Sequence, residues 1–318
     1  MVRMDGAFII DKPAGLTSHD VIARVRKIIG VRRVGHTGTL DPFATGVLVI
    51  LVGRATRLAQ FLSGADKEYD AVIRLGFATD TGDVTGQPLQ SEVSPKARMA
   101  TEFHGEEIEA VLKTLRGEIE QTPPMYSAKK IGGRKLYELA RRGEEVERKS
   151  VQVMVSEFEA IPQGGSLLKP NSDATADLNA RVVCSAGTYV RTLAEDLGKG
   201  LGVGAHLFEL RRTRAGHFKI SDAITLDQLA ELATSGAVES KVISPDEILA
   251  HLPAVELTAE ELPNTIHGVD VKVDRVRAPN CKNGAAVRMR SPDGQLIAVG
   301  NFDESRRVVH PAVVIANL

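Results

Sequence analysis

The sequence predicts an α+β protein: a mainly antiparallel sheet flanked by helices, followed by a small β-rich domain. Three observations carry this reading. Segments with period-two alternation follow one another directly, most clearly "VQVMVSEFEA" (151–160), which opens with Val151, Val153 and Val155 at every second position. Helical patterns are scattered irregularly among them, which disfavours a regular βαβ repeat. After a break in "TSGAVESKVISPDEILAHLP" (234–253) only short strand patterns remain. At 318 residues and 43% hydrophobic content, the chain is long enough for one large core and one small one. The expected domains are 1–245 and 252–318.

The elements follow in order. "TSHDVIARVRKIIG" (17–30) reads as an amphipathic helix, with Val21, Val25 and Ile28 or Ile29 on one face. Ser18 is placed to cap its start and Gly30 to end it. "VLVILVG" (47–53) and "YDAVIRLG" (69–76) read as strands, "EEIEAVLKTLRGEI" (106–119) as a helix, and 151–160 as a strand. "IPQGGSLLKPNSD" (161–173) is a hairpin loop by composition. "DLNARVVCSAGTYVRTLAEDLGKGLG" (177–202) alternates first and turns helical after Tyr189. "QLIAVGNF" (295–302) and "VVHPAVVIA" (308–316) are strands of the last domain.

Composition excludes several classes. No run approaches the roughly 18 apolar residues of a membrane helix, and the opening "MVRMDGAFIIDKP" meets Asp11 too early for a signal peptide, so a cytoplasmic location is expected. Cys184 and Cys281 are far apart with no C-x-x-C spacing, and are expected to be reduced structural thiols. Forty basic against 41 acidic residues give a net charge of −1, so bulk charge makes no case for nucleic acid. The distribution is less even. Residues 21–40 hold Arg24, Arg26, Lys27, Arg32 and Arg33 and no acid, and further basic clusters lie at 129–135, 211–219 and 271–277. Taken alone, such clusters are most often solvated faces.

The chemistry centres on "HTGTLDPFATGVLVILVG" (36–53), where a lone carboxylate, Asp41, precedes an apolar run. The neighbouring "GVRRVGHT" (30–37) fits G-x-x-x-x-G-x-T, but His36 stands where a phosphate loop needs lysine, and the glycines follow a helix rather than a strand. An aspartyl phosphotransferase is also disfavoured: no second Asp lies two residues away and no carboxylate cluster suggests magnesium. Pro42 biases Asp41 toward extended backbone, and Gly35, Gly38 and Gly46 permit sharp turns around it. An Asp before Pro is by itself most often a turn former.

The surrounding blocks change that weighting. "GHTGTLDPFATGVLVI" (35–50) resembles the signature of the TruB family of tRNA pseudouridine-55 synthases. "GAFIIDKPAGLTSHDVI" (6–22), "DKEYDAVIRLGFATDTGDVTG" (66–86), "QTPPMYSAKKIGGRKLYELARRG" (121–143), "CSAGTYVRTLAEDLG" (184–198) and "GAHLFELRRTRAGHF" (204–218) resemble further blocks of that family, in the same order. Phe43 and Val49 depart from the Leu and Pro often found in the family, as packing changes that leave the Asp41 loop intact.

The resemblance implies a pseudouridine-synthase-like fold and the isomerisation of one uridine in the T-loop of tRNA, without cofactor or metal. It casts Asp41 as the nucleophile and Tyr69 as the ring against the target base, with a part in proton transfer. Tyr189 and Arg191 become pocket residues, Arg191 pairing with the aspartate, and Leu210 the apolar wall. His36 is implied to enter the space the base vacates. Lys12 and Pro13 match the opening motif, in a role either structural or catalytic. The tRNA T-arm is the implied partner, with no obligatory protein partner and a monomeric chain. Position and β content suggest a PUA-like RNA-binding module at the C-terminus.

Physical chemistry agrees with this picture. Turning a nucleotide out of an RNA stack costs roughly a few kcal/mol, and the base then needs a face to lie on and polar contacts at its edge. A neighbouring guanidinium favours an ionised carboxylate, so Arg191 is expected to keep Asp41 charged. Arg32, Arg33, Lys129, Lys130, Arg134 and Arg211 are candidates for phosphate contacts that position RNA without reading it. Two other readings use the same surface: an RNA-binding and remodelling module, and a guide-RNA-dependent relative of the family working inside a multi-protein particle.

Overall fold

Why the run "VLVILV" is apolar without alternation becomes clear from what covers it. In the computed structural model, which describes residues 4–89, 99–127, 129–131, 133–140, 142–144, 146–273 and 281–316, strand Thr45–Val52 pairs antiparallel with Gly6–Lys12. Both faces of this hairpin are buried. Phe8, Ile10, Leu48 and Ile50 pack with Val21 and Val25 of helix Ser18–Ile29 and with Leu226 and Leu229 of helix Leu226–Thr234. Ala7, Ile9, Val47, Val49 and Leu51 face the other way, onto Leu296, Val299, Val313 and Ile315. A strand covered on both sides has no solvent face to mark with polar residues.

The main sheet runs Gly6–Lys12, Thr45–Val52, Ala205–Ala215, Lys67–Leu75, Ala176–Cys184, Val151–Ala160 and Gly117–Gln121, with three short strands paired alongside. Its neighbours are antiparallel except where Thr45–Val52 meets Ala205–Ala215. That contact is parallel and registered at Arg211 with Thr45 and Arg212 with Gly46. The central strand Lys67–Leu75 alternates strictly: Tyr69, Ala71, Ile73 and Leu75 turn into a core closed by helices Gly105–Thr114 and Val190–Leu201. A second sheet, built from Ala254–Glu256, Ala286–Arg290, Leu296–Asp303, Val308–Val314 and Val271–Lys272 in that spatial order, has its own core around Val255, Met289 and Phe302. Arg54 ties it to the first sheet by donating to the Ile315 carbonyl at 2.5 Å.

Two local expectations are corrected. The helix expected over 106–119 ends at Thr114, and Gly117–Gln121 is a strand that pairs with Val151–Ala160. Gly117, at φ +84°, turns the chain out of the helix, and the exposed and half-buried alternation of "GEIEQ" is a strand period hidden behind helix-forming residues. The cap of the first helix is Thr17, not Ser18. Thr17 accepts from the Asp20 N–H at 3.0 Å while Asp20 accepts from the Thr17 N–H at 2.9 Å. Ser18 is buried and exchanges two hydrogen bonds with the backbone of Leu40.

These adjacent hydroxyls therefore separate in effect. Thr17→Ala should cost about 1 kcal/mol of stability, read by denaturant unfolding, with little change in turnover. Ser18→Ala strips Leu40 of both partners and should lower turnover more than Thr17→Ala does. Equal losses of turnover in the two variants would remove the distinction.

Candidate active site

The loop that carries Asp41 is held mainly through its backbone. Gly15 N–H donates to the Pro42 carbonyl at 2.8 Å, Ala44 N–H to the Asp41 carbonyl at 3.1 Å, and Ser18 fixes Leu40. Arg212, buried on strand Ala205–Ala215, donates to the carbonyls of Val47 (2.7 Å), Thr39 (3.3 Å) and Gly38 (3.1 Å). The loop's exit also needs glycine. Gly46 has φ +99°, and a Cβ there would lie 2.2 Å from the Arg212 carbonyl oxygen.

Across the loop, Tyr189 starts helix Val190–Leu201 and Arg191 lies in its first turn. Gln121 clamps Tyr189 from both sides, accepting from its N–H at 2.9 Å and donating to its carbonyl at 3.1 Å. Arg191 is 4% exposed. Its Nε lies 2.9 Å from Asp41 Oδ2 and its Nη2 donates to Asp41 Oδ1 at 3.4 Å. The rest of the fork goes to the carbonyls of Thr81 (2.9 Å) and Tyr126 (2.7 Å), and Asp83 Oδ2 stands 3.6 Å from Nη1. Asp83 is itself fixed by Thr81 Oγ1 at 2.8 Å and by the Thr85 hydroxyl and N–H at 2.6 and 3.0 Å. One guanidinium thus serves two carboxylates, and its geometry is set by the backbone.

The Asp41 side chain keeps 34% of its surface open to the cavity, but its other sides are walled by protein. Burial is the largest influence and pushes its pKa above the ordinary carboxylate value, against the opposing pull of Arg191 and with a smaller push from Asp83. The expected pairing with Arg191 is present, yet the net direction is upward. Burial likewise raises the Tyr69 phenol, against the lowering charge of Arg212. At neutral pH Tyr69 keeps its proton.

Asp41, Tyr69, Tyr189, Arg191, Leu210 and Arg212 line one cavity of about 270 Å³. That is near the lower end of ligand pockets, roughly 300 Å³, which suits a single base. Two expected site residues stand outside its lining. Lys12 is fully buried and donates to the carbonyls of Pro13 (2.9 Å), Leu16 (2.7 Å) and Pro42 (3.2 Å), tying the opening motif to the loop. Burial lowers its pKa to about 8 despite the opposing influence of Asp41. His36 ends strand Val34–His36 with its ring 5.7 Å from that of His19; burial, with His19 and Arg212, lowers its pKa to about 4, so the imidazole is neutral.

The expected phosphate contacts are dispersed. Arg32, Arg33 and Arg134 are exposed and Lys129 is half-buried, while the Lys130 side chain lies outside the described residues. So does the basic cluster at 271–277 beyond Val273. Arg211 is already engaged: its fork meets Asp11 at 2.7 and 3.1 Å. Three contributors escaped sequence reasoning. Asp83 had a weak signal in the Thr-rich turn "TDTGDVTG", Arg212 shares a strand face with Leu210 by period two, and Gln121 had none.

Fold and site define a class: an α+β enzyme that presents an arginine-held carboxylate to a cavity large enough for one base. Sequence comparison supplies the family. Residues 26–190 match the TruB family pseudouridylate synthase N-terminal domain, and 191–252 the tRNA pseudouridylate synthase B C-terminal domain. The chain is 41% identical over 315 residues to a tRNA pseudouridine synthase B of Geobacillus thermodenitrificans, covering 97% of this chain and 96% of that one. It is 44% identical over 296 residues to the protein of that name from Thermobifida fusca, covering 93% and 94%. A solved Cbf5-Nop10-Gar1 complex contains a chain that superposes with a TM-score of 0.74 at 28% identity, over 98% of this chain and 85% of that one. The protein belongs to the TruB family of pseudouridylate synthases and is an isomerase. Among the described residues no helix is long and apolar enough to cross a membrane.

Proposed function

We propose that the protein converts the uridine at position 55 in the T-loop of tRNA to pseudouridine, with Asp41 as nucleophile. The observation that carries this is the Asp41–Arg191 pair, 2.9 Å apart, facing the one-base cavity. The uridine is turned out of the RNA, its base lies against Tyr69 and Leu210, and His36 enters the space left behind. Asp41 attacks and forms a transient bond to the nucleoside, the bond from N1 to the ribose carbon breaks, a bond from C5 to the same carbon forms, and the bond to Asp41 is released to restore the carboxylate. The proton lost from C5 balances the one gained at N1. Atoms and electrons balance within the nucleotide, so the chemistry needs no cofactor and no metal.

Relatives named tRNA pseudouridine synthase B match at 41 and 44% identity, against 28% for a chain of the Cbf5-Nop10-Gar1 complex, which supports a single chain acting on free tRNA over one working inside a multi-protein complex. The reading includes a monomer acting alone in the cytoplasm, a catalytic unit over 1–245, and a PUA-like RNA-binding module over 252–318. Its test is tritium release from C5-labelled uridine in a tRNA transcript incubated with the purified chain. Release is expected from the whole tRNA and from a bare T-arm stem-loop. No release without added protein or guide RNA would overturn the free-tRNA reading.

The exposed Arg32, Arg33 and Arg134, with Lys129, Lys130 and Arg211, are assigned to tRNA phosphates. Reversing charge at Arg32 and Arg33 should weaken tRNA binding and flatten the plot of log affinity against log salt, by about 0.7 to 0.9 per phosphate left without its cation. An unchanged slope would reassign these residues to solvent.

A further inference from the structure

Ser127 lies one residue beyond Tyr126, whose carbonyl accepts from Arg191 Nη2 at 2.7 Å. The chain therefore fixes Ser127 beside the guanidinium that holds Asp41, and its side chain lines the same cavity. It is 4% exposed, and its hydroxyl has no hydrogen-bond partner among the described residues. Buried hydroxyls in native proteins are nearly always paired, so an unpaired one at a cavity wall calls for a physical reason.

The charged groups nearby are already committed. Arg191 is spent on Asp41, Thr81 and Tyr126, Arg212 on Gly38, Thr39 and Val47, and Lys67 on the carbonyls of Ser63 and Ala65. None is the partner of Ser127. Its partner therefore comes from what enters the cavity, solvent in the free protein and substrate in the complex.

We propose that Ser127 Oγ hydrogen-bonds an oxygen flanking the glycosidic bond of the flipped uridine, making it a substrate contact in the isomerisation. The inference rests on the reading of the cavity given above. Whether Asp41 adds to the ring or to the sugar, the bond between N1 and the ribose carbon must lie against the Asp41–Arg191 pair. Three oxygens flank that bond; the ring O4′ is a poor hydrogen-bond acceptor, which leaves the uracil O2 and the ribose 2′-hydroxyl. A hydroxyl both donates and accepts, so Ser127 is suited to either.

The energetics give opposite signs in the free and bound states. Removing an unsatisfied buried hydroxyl should not destabilise the free protein, whereas removing a substrate hydrogen bond should slow the reaction. The test compares wild type with Ser127→Ala. The thermal midpoint of the free protein is expected to hold or rise, while kcat/KM on tRNA falls about three- to tenfold. If the midpoint falls, the nearly isosteric Ser127→Cys, a weak donor, is measured in the same way.

Two modified transcripts locate the partner. With 2′-deoxyuridine at the target the alanine penalty vanishes if the ribose hydroxyl is the partner; with 2-thiouridine it vanishes if O2 is. Wild-type kcat/KM for Ser127→Ala, or a penalty undiminished on both transcripts, overturns the proposal. Asp41→Asn run alongside separates the two levels. If that variant remains active, the reading of the cavity has failed; if it is dead while Ser127→Ala is normal, only this inference has.

Discussion

Asp41→Asn is expected to lose at least about 10⁴-fold in single-turnover tritium release, the scale set by removal of a covalent nucleophile. The amide matches the carboxylate in size and keeps an oxygen for the Arg191 fork, so the loop, still held by Ser18, Lys12 and Arg212, has no reason to move. Affinity for tRNA, carried by contacts to the backbone of the RNA, should stay within about threefold, since phosphate contacts dominate such binding. The pairing of lost chemistry with retained binding separates an isomerase acting through Asp41 from a remodelling module that only binds and opens the tRNA. Normal release by the Asn variant would remove Asp41 as nucleophile, and a parallel loss of binding would move its role to the architecture of the loop.

Strands were legible where one face met the core and the other did not, as in Val151–Ala160, whose expected bounds match the structure. Thr45–Val52 was legible as a strand from its apolar run, but what lies against each face is decided by residues some 250 positions away, Leu296, Val299 and Val313 among them. The helix expected over 106–119 overran because "GEIEQ" is made of helix-compatible residues and takes its strand form only by pairing with Val151–Ala160. Asp41, Tyr69, Tyr189, Arg191 and Leu210 come together around one cavity, each having been marked by a motif block.

What the motifs did not convey is who holds whom. The clamp from Gln121 to Tyr189 spans 68 residues and the bond from Arg191 to Thr81 spans 110, so neither leaves a local trace. Arg211 and Arg212 show the opposite case. Period two from Leu210 sends Arg212 into the cavity and Arg211 to the other face, where Asp11 meets it.

The Arg191 junction predicts two pH profiles that move in opposite directions. As the proposed nucleophile, Asp41 has to be ionised to attack, so on that reading activity rises with pH through its folded-state pKa and is lost below it. Burial and Asp83 raise that pKa, and Arg191 lowers it. Arg191→Gln removes the lowering influence, so the acid limb of the rate profile should shift to higher pH. The same change leaves Asp41 and the buried Asp83 without their cation, a loss of about 3–5 kcal/mol by analogy with broken buried pairs, and frees the carbonyls of Thr81 and Tyr126. A rate loss of about 10² or more is expected even at high pH, because the carboxylate is no longer aimed. Asp83→Asn removes a repelling charge instead, so the acid limb should shift to lower pH, while the amide retains an oxygen for Thr81 and Thr85 and keeps the turn. Shifts in the same direction would show that the limb reports another group. No shift in either variant would show that Asp41 does not control it.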